Sequence, residues 1–159
     1  MNEYRTYTCN TIREKNVGEH IKLAGWIQTI RDLGGVIFID LRDQYGITQI
    51  VASGNEELVD FATRIPIEST ISVEGTVRLR SEDTINEKLD TGLVELFAEK
   101  IEILGKRTKQ LPFEIESSRD VREDLRLQYR FLDLRNEKLK NNLILRAKVI
   151  QFMREQMVK

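Results

Sequence analysis

Five short runs of alternating apolar and polar residues, interrupted once by a helical run, dominate the first hundred or so residues. Such alternation is typical of half-buried strands, and the runs cover 21–30, 36–41, 47–52, 70–80 and 93–103, the last with an irregularity near Glu99. Between the third and fourth runs, apolar residues recur at helical spacing from Gly54 to Ile65, and Pro66 prevents continuation. The predicted order is strand, strand, strand, helix, strand, strand.

This order of elements predicts an all-β, five-stranded OB-fold barrel with one inter-strand helix, followed by a linker and a C-terminal helix. Gly34-Gly35 and Gln44-Tyr45-Gly46 fit tight turns that connect the first three strands as a meander. Barrels of this type bind oligonucleotides on the face of their second and third strands. We therefore look for nucleic-acid contacts on that face.

Composition removes most familiar enzyme chemistry from consideration. Cys9 is the only cysteine and His20 the only histidine, which excludes an internal disulfide, a Cys/His zinc site and catalytic groups that need two such residues. The formal net charge is -1, so RNA binding must rest on local clusters of arginine rather than on a basic chain. No metal site is expected in this chain.

No run of apolar residues is long enough to cross a membrane, and the first residues lack the pattern of a secretory signal. We expect a cytoplasmic protein without a membrane partner.

The character of the chain changes near residue 105. The expected domains are the barrel over 1–105, a hinge or linker over 106–128, and the start of a second, truncated domain over 129–159. From Asn136 onward an apolar helical stripe is still running at Lys159, formed by Leu139, Leu143, Ala147, Ile150, Met153 and Met157. The alternative is a helix that folds back onto the barrel as a cap.

Candidate binding residues follow from the strand alternation. Phe38 is expected to face outward, where an aromatic ring stacks on an unpaired base; the alternative is that it packs under a loop or a partner domain. Arg31, Arg78 and Arg80 are expected to form a basic patch for phosphates, or else to be solvated arginines.

Two further polar residues suit the reading of base edges. The Gln49 amide both donates and accepts hydrogen bonds, and the Glu95 carboxylate accepts them from exocyclic amines or guanine N–H groups. The alternative is that Glu95 pairs with Arg78 across the sheet.

Several blocks of the sequence resemble the anticodon-binding region of bacterial aspartyl-tRNA synthetases, which are class II enzymes. The blocks are Gly25-Trp26-Ile27, the run from Arg31 to Asp43, the run from Gly46 to Val51, Gly75 to Arg80 leading to Ile85-Asn86, and Leu127 to Arg135. The last block resembles the family's transition into its catalytic domain. The resemblance covers essentially the whole chain.

The resemblance implies roles for individual residues. Phe38 matches the aromatic that stacks on an anticodon base, and the matching positions that help to read or hold the anticodon are Arg31, Leu33, Gln49 and Glu95, with Arg78, Arg80 and Asn86 as further carry-overs. Many bacterial members have several consecutive arginines before the Asp-Leu-Gly run, whereas Gln28-Thr29-Ile30 precede the single Arg31 here. We expect a lower affinity for the anticodon arm, or support from elsewhere.

The resemblance also implies the activity of the full-length protein, an aspartate-tRNA ligase. With ATP and Mg2+ such an enzyme forms an aspartyl-adenylate and transfers the aspartyl group to tRNA(Asp), acting as a homodimer. The final helix resembles the helix of the first class II motif at the dimer interface. This chain is expected to bind the tRNA(Asp) anticodon loop, to hold no cofactor or catalytic residue, and to be inactive by itself, either as a monomer or as a dimer.

Two rival interpretations stay open at this point. A lysyl- or asparaginyl-tRNA synthetase shares the barrel and the class, and a freestanding OB-fold module that binds single strands or tRNA would need no further domain. The sequence does not decide whether tRNA(Asn) is also charged, although Leu33 rather than histidine favours an enzyme restricted to tRNA(Asp).

Overall fold

The computed structural model describes residues 3–158 and contains a closed five-stranded barrel. The neighbours around the barrel are β1-β2-β3-β5-β4. The strands are β1 His20–Asp32, β2 Ile37–Arg42, β3 Ile47–Ala52, β4 Thr70–Leu79 and β5 Val94–Gly105, and helix α1 Glu56–Thr63 lies between β3 and β4. Short 3-10 turns cover Glu14–Asn16 and Glu82–Thr84. The predicted OB-fold and its order of elements are confirmed.

The turn between β1 and β2 fixes how these two strands pair. Gly34 and Gly35 have φ angles of 67° and 90°, which a type I′ hairpin turn requires and side chains disfavour. The Leu33 amide donates to the Val36 carbonyl at 3.0 Å, and the Gly35 amide donates to Asp32 Oδ1 at 3.2 Å. The tight turn sets Arg31 opposite Phe38.

The barrel closes through a short parallel pairing between β3 and β5, which aligns Val51 with Phe97. On its other edge β5 pairs antiparallel with β4, and the register shifts between Glu74 and Gly75. A Cβ at Gly75 would lie 2.0 Å from the Phe97 carbonyl oxygen, so only glycine permits this approach. The shift skips Glu99, where the irregularity was predicted.

Inward-facing side chains of all five strands form one apolar core. Ile37, Ile39 and Leu41 of β2 are fully buried, each contributing about 1.5–3 kcal/mol through removal from water. Helix α1 begins at Asn55, whose side chain accepts the Glu57 and Leu58 amides. The predicted alternation of β2 is confirmed, and it leaves Phe38 on the outside of the barrel.

The end of β4 departs from the predicted alternation. Arg80, expected on the surface as part of a basic patch, is only 7% exposed, and Leu79 before it is 55% exposed, although alternation would place Leu79 inward. The strand ends at Leu79, and beyond it Arg80 Nε donates to the Val94 carbonyl at 3.2 Å and Nη1 to the Thr84 carbonyl at 3.4 Å. The prediction of an outward, solvent-facing Arg80 is wrong because the alternation is already lost at Leu79, and the Arg80 side chain turns to the Val94 and Thr84 carbonyls.

A second compact unit begins at Lys109. It contains a 3-10 turn at Ser118–Asp120 and the helices α2 Glu123–Gln128, α3 Arg130–Asp133 and α4 Glu137–Met157. Phe113 and Ile115 are buried, and the Asn136 Nδ2 group donates to the Ile115 and Glu116 carbonyls at 3.0 Å each. The segment predicted as a linker thus holds a small core, which its scattered apolar residues did not indicate.

Helix α4 follows Asn136 as predicted, and the Asn136 side chain accepts the Leu139 amide at its start. The exposed large apolar residues of α4 are Leu143, Ile144, Leu145, Val149, Ile150, Phe152, Met153 and Met157. Within residues 3–158, no helix has the length and apolar character that a membrane crossing needs.

Candidate nucleic-acid interface

Outward side chains of β1, β2, β3 and β5 form two adjacent rows, which we call the outer face. The first row contains Arg31, Phe38, Val51 and Phe97, and the second contains Thr29, Asp40, Gln49 and Glu95. The pairing of the strands places Arg31 opposite Phe38, Phe38 opposite Val51, and Val51 opposite Phe97. The first row therefore carries two aromatic rings, on β2 and β5, both partly exposed. Partly exposed rings on an OB-fold sheet are suitable platforms for unpaired bases.

The second row is a continuous chain of polar side chains. Asp40 accepts hydrogen bonds from Thr29 Oγ1 and from Arg31 Nη2. Arg31 Nη2 also lies 3.4 Å from Gln49 Oε1, and Gln49 Nε2 donates to Glu95 Oε2 at 2.9 Å. Three residues predicted separately, on β1, β3 and β5, are therefore joined in one network.

This network orients the groups that would meet a base. Gln49 is only 6% exposed, and its amide oxygen faces Arg31 while its amide nitrogen faces Glu95. One oxygen of Glu95 is engaged by Gln49, so the carboxylate retains further acceptor sites. Buried polar networks whose members are paired hold their side chains in one arrangement.

Arg78 does not pair with Glu95, although the two residues are cross-strand partners. Its guanidinium carbon lies 3.6 Å from the centroid of the Phe97 ring, and within the described part of the chain no carboxylate forms a salt bridge with it. The alternative in which Glu95 is neutralised by Arg78 is therefore wrong.

Arg80 lies beneath this row rather than on it. Burial lowers the pKa of its guanidinium, with Arg31 acting in the same direction and the charges of Glu95 and Asp40 opposing it. Its Nη2 atom is buried and has no hydrogen-bond partner in the described chain. Asp40 and Glu95 lie near the arginines, so the expected basic patch is in fact a surface of mixed charge.

The two remaining predicted residues lie in loops at the edge of the outer face. Leu33 is at the tip of the β1–β2 turn and is 66% exposed. Asn86 lies in the β4–β5 connection, where its Oδ1 accepts the Lys88 amide at 3.1 Å. Neither side chain is joined to the polar network by a hydrogen bond among the residues described.

Sequence reasoning did not single out Asp40 or Phe97 as site residues. The alternation that placed Phe38 outward also places Asp40 outward, and the alternation that placed Glu95 outward does the same for Phe97. The alternation therefore indicated that both side chains face outward. Only the hydrogen bonds to Asp40 and the packing of Arg78 on Phe97 show what these side chains contact. Across residues 3–158, no group of three or more His, Cys, Asp or Glu side chains is placed to hold a metal ion.

Residues 21–104 match the family described as OB-fold nucleic acid binding domain. The chain belongs to this family. Residues 122–159 match a second family, tRNA synthetases class II (D, K and N). All the residues of the outer face lie within the OB-fold match.

Curated relatives of this OB-fold chain are named as aspartate-tRNA ligases, the family that the sequence blocks resemble. An aspartate-tRNA(Asp/Asn) ligase from Rickettsia prowazekii (strain Madrid E) is 50% identical over 159 residues, covering 99% of this chain and 26% of that protein. The chain spans about a quarter of the length of the curated relatives that it matches. The predicted resemblance to aspartyl-tRNA synthetases is confirmed.

Solved structures give the same fold. A protein described as an aspartyl-tRNA synthetase from Leishmania major Friedlin has a TM-score of 0.87 at 25% identity, covering 99% of this chain and 34% of that one. An asparaginyl-tRNA synthetase from Pyrococcus horikoshii has a TM-score of 0.80 at 27% identity, covering 99% of this chain and 36% of that one.

Proposed function

We propose that the outer face reads the anticodon of tRNA(Asp), as part of a protein that attaches aspartate to this tRNA. The observation that carries the proposal is the network joining Arg31, Gln49 and Glu95 beside the outward Phe38 ring. Membership of the OB-fold nucleic acid binding family supports it, as does the 50% sequence identity to an aspartate-tRNA(Asp/Asn) ligase.

Each residue has a distinct task in this proposal. Phe38 stacks on one anticodon base, a contact worth about 1–3 kcal/mol. Glu95 accepts hydrogen bonds from the N–H groups of a guanine edge, and Gln49 holds Glu95 while presenting its own amide. Arg31 joins Asp40 to Gln49 in the network, and its exposed guanidinium can also reach a phosphate or a base edge.

Three further residues lie outside the network. Leu33 would contact the loop from the tip of the β1–β2 turn, and Asn86 from the β4–β5 connection. Arg80 is too buried for a surface phosphate contact, so its contribution passes through its free Nη2 atom or through its support of β5.

The activity of the whole protein is the second half of the proposal. It would activate aspartate with ATP and Mg2+ and then charge tRNA(Asp), as a homodimer to which α4 contributes an apolar surface. The residues that hold ATP and Mg2+ would belong to other parts of the whole protein, which in the relatives is about four times as long as this chain. The domain division proposed from the sequence, with the class II part starting near residue 129, is compatible with the match over 122–159.

Binding of this chain to anticodon hairpins tests the first half of the proposal. The aspartate triplet is GUC and the asparagine triplet GUU, so the two hairpins differ in one base. Leu33 favours a preference for GUC, whereas the Rickettsia relative is named for both tRNAs. Selective binding of GUC over a scrambled triplet supports anticodon reading. Equal binding of the GUC and GUU hairpins would mean that the chain recognises both tRNA(Asp) and tRNA(Asn). Equal binding of the GUC, GUU and scrambled hairpins would refute the proposal.

Aminoacylation by the full-length protein tests the second half. Charging of tRNA with aspartate, rather than with lysine or asparagine, is expected. A freestanding OB-fold module predicts instead that α4 docks on the barrel, so rapid amide exchange after Asn136 in this chain would argue against that alternative.

A further inference from the structure

We propose that Arg78 and Phe97 form a second stacking position on the outer face, for a base of the RNA loop other than the one stacked on Phe38; this position rests on the proposed function because its ligand is the same loop. Arg78 packs on Phe97 at 3.6 Å and is exposed. One side of the guanidinium thus meets the ring, and the other side is open to a ligand. Bases stack on guanidinium planes as they do on aromatic rings.

The position of Phe97 separates this site from Phe38. Both rings belong to the same row, with Val51 of β3 between them. Neighbouring strands lie about 4.8 Å apart, so the two rings are about 10 Å apart at the backbone. Stacked aromatic groups have centroids about 4.5–7 Å apart, so one base does not cover both rings. The two platforms therefore take different nucleotides of one single strand.

The surroundings favour a base over a phosphate as the ligand of Arg78. Its cross-strand neighbour is Glu95, whose carboxylate repels a phosphate placed between them but does not repel the uncharged face of a base. Phe97 also restricts the guanidinium to one orientation with one flat side open, which lowers the entropy cost of stacking a base there.

Hairpins that lack one base at a time separate stacking from phosphate contacts, since an abasic nucleotide keeps its phosphate. The chain is titrated with a GUC hairpin and with the same hairpin made abasic at each loop position. The protein variants are Arg78→Lys, which keeps the charge without the planar group, and Phe97→Leu, which keeps an apolar side chain without the ring. Phe61→Leu on α1 and Arg64→Lys, the residue that follows α1, are matched controls.

We expect one loop position, distinct from the one sensed by Phe38, at which base removal weakens wild-type binding roughly 5- to 150-fold. Arg78→Lys and Phe97→Leu each weaken binding of the intact hairpin and become insensitive to base removal at that position. The salt dependence of Arg78→Lys stays that of the wild type because the charge is retained. The α1 variants bind as the wild type does.

The second stacking position is overturned if both variants remain as sensitive as the wild type to every abasic position. It is also overturned if Arg78→Lys binds normally while Arg78→Gln weakens binding and lowers the salt slope by about 1, the pattern of a phosphate contact. Failure of the proposed function is a different result, namely no preference of the wild type for GUC over a scrambled triplet. Thermal unfolding of each variant shows whether the barrel is intact.

Discussion

Gln49 Nε2 donates a 2.9 Å hydrogen bond to Glu95 Oε2, and this bond joins β3 to β5 where the two strands run parallel. The contact connects two residues 46 positions apart in sequence. It also holds the Glu95 carboxylate on the outer face, two residues before Phe97 on β5. A carboxylate on an RNA-binding surface is unfavourable unless it accepts hydrogen bonds from a base, so Glu95 is the residue that most sharply separates base reading from nonspecific binding.

Glu95→Gln is expected to lower affinity for the GUC hairpin by about 5- to 150-fold, because the amide places donors where the carboxylate only accepts. Nonspecific binding, measured on a scrambled triplet, should rise slightly since one negative charge is removed. Fluorescence anisotropy on both hairpins gives the two values. The matched control is Glu102→Gln, an exposed carboxylate on the same strand. Equal gains in affinity for both hairpins would mean that Glu95 reads no base.

Arg80→Ala should lower the free energy of unfolding by about 1–3 kcal/mol, because it removes hydrogen bonds to the Val94 and Thr84 carbonyls and leaves those groups less well paired. Arg78→Ala should lower it by only about 0.5–1 kcal/mol, the usual contribution of an exposed cation–π contact such as that with Phe97. Urea denaturation of the two variants makes the comparison. Similar stabilities would contradict a structural role for Arg80.

Asp133 is the electrostatic centre of the second unit. Burial by itself would raise the pKa of the Asp133 carboxyl, but hydrogen bonds from Arg126 and Ser118 and the charges of Arg126 and Arg130 outweigh it, so the pKa lies below its usual range. The ionised form therefore stabilises the folded unit above the unfolded pKa of about 3.9, and this stability is lost as pH falls through the lower folded value.

Asp133→Asn is accordingly expected to destabilise the second unit by about 1.5–3 kcal/mol at neutral pH, since Arg126, Arg130 and Ser118 then face an uncharged amide. Hydrogen exchange of the Leu132 amide, which donates to the Tyr129 carbonyl, reports the change. Exchange should accelerate in this variant and stay unchanged in Asp120→Asn, an exposed aspartate of the adjacent 3-10 turn. Wild-type protection in Asp133→Asn would show that the charge is not needed.

Strand alternation predicted the barrel and most of its outer face. Ile37, Ile39 and Leu41 point inward, and Phe38 and Glu95 point outward, because paired strands impose a period of two on their side chains. The same rule fails at the end of β4, where Leu79 is exposed and Arg80 is buried, although the Arg80 amide still donates to the Leu93 carbonyl.

Local sequence patterns did not predict the contacts between residues far apart in the sequence. The link from Gln49 to Glu95 depends on the parallel register of β3 and β5, and the packing of Arg78 on Phe97 depends on the shift at Gly75. Each register depends on two strands together and cannot be predicted from the residues of one strand. The hydrogen bonds from Asn136 to the Ile115 and Glu116 carbonyls escaped prediction for a related reason, since they join residues about twenty positions apart.

Phe38→Ala provides the most direct test of anticodon reading by the outer face. The measurement is the affinity of wild type and variant for a GUC hairpin and for a scrambled triplet, at two salt concentrations. We expect the wild type to prefer GUC, and Phe38→Ala to lose about 1–3 kcal/mol of affinity for GUC while its salt dependence is unchanged. Equal, purely salt-dependent binding of both hairpins by the wild type would contradict the account and leave a generic nucleic-acid-binding barrel.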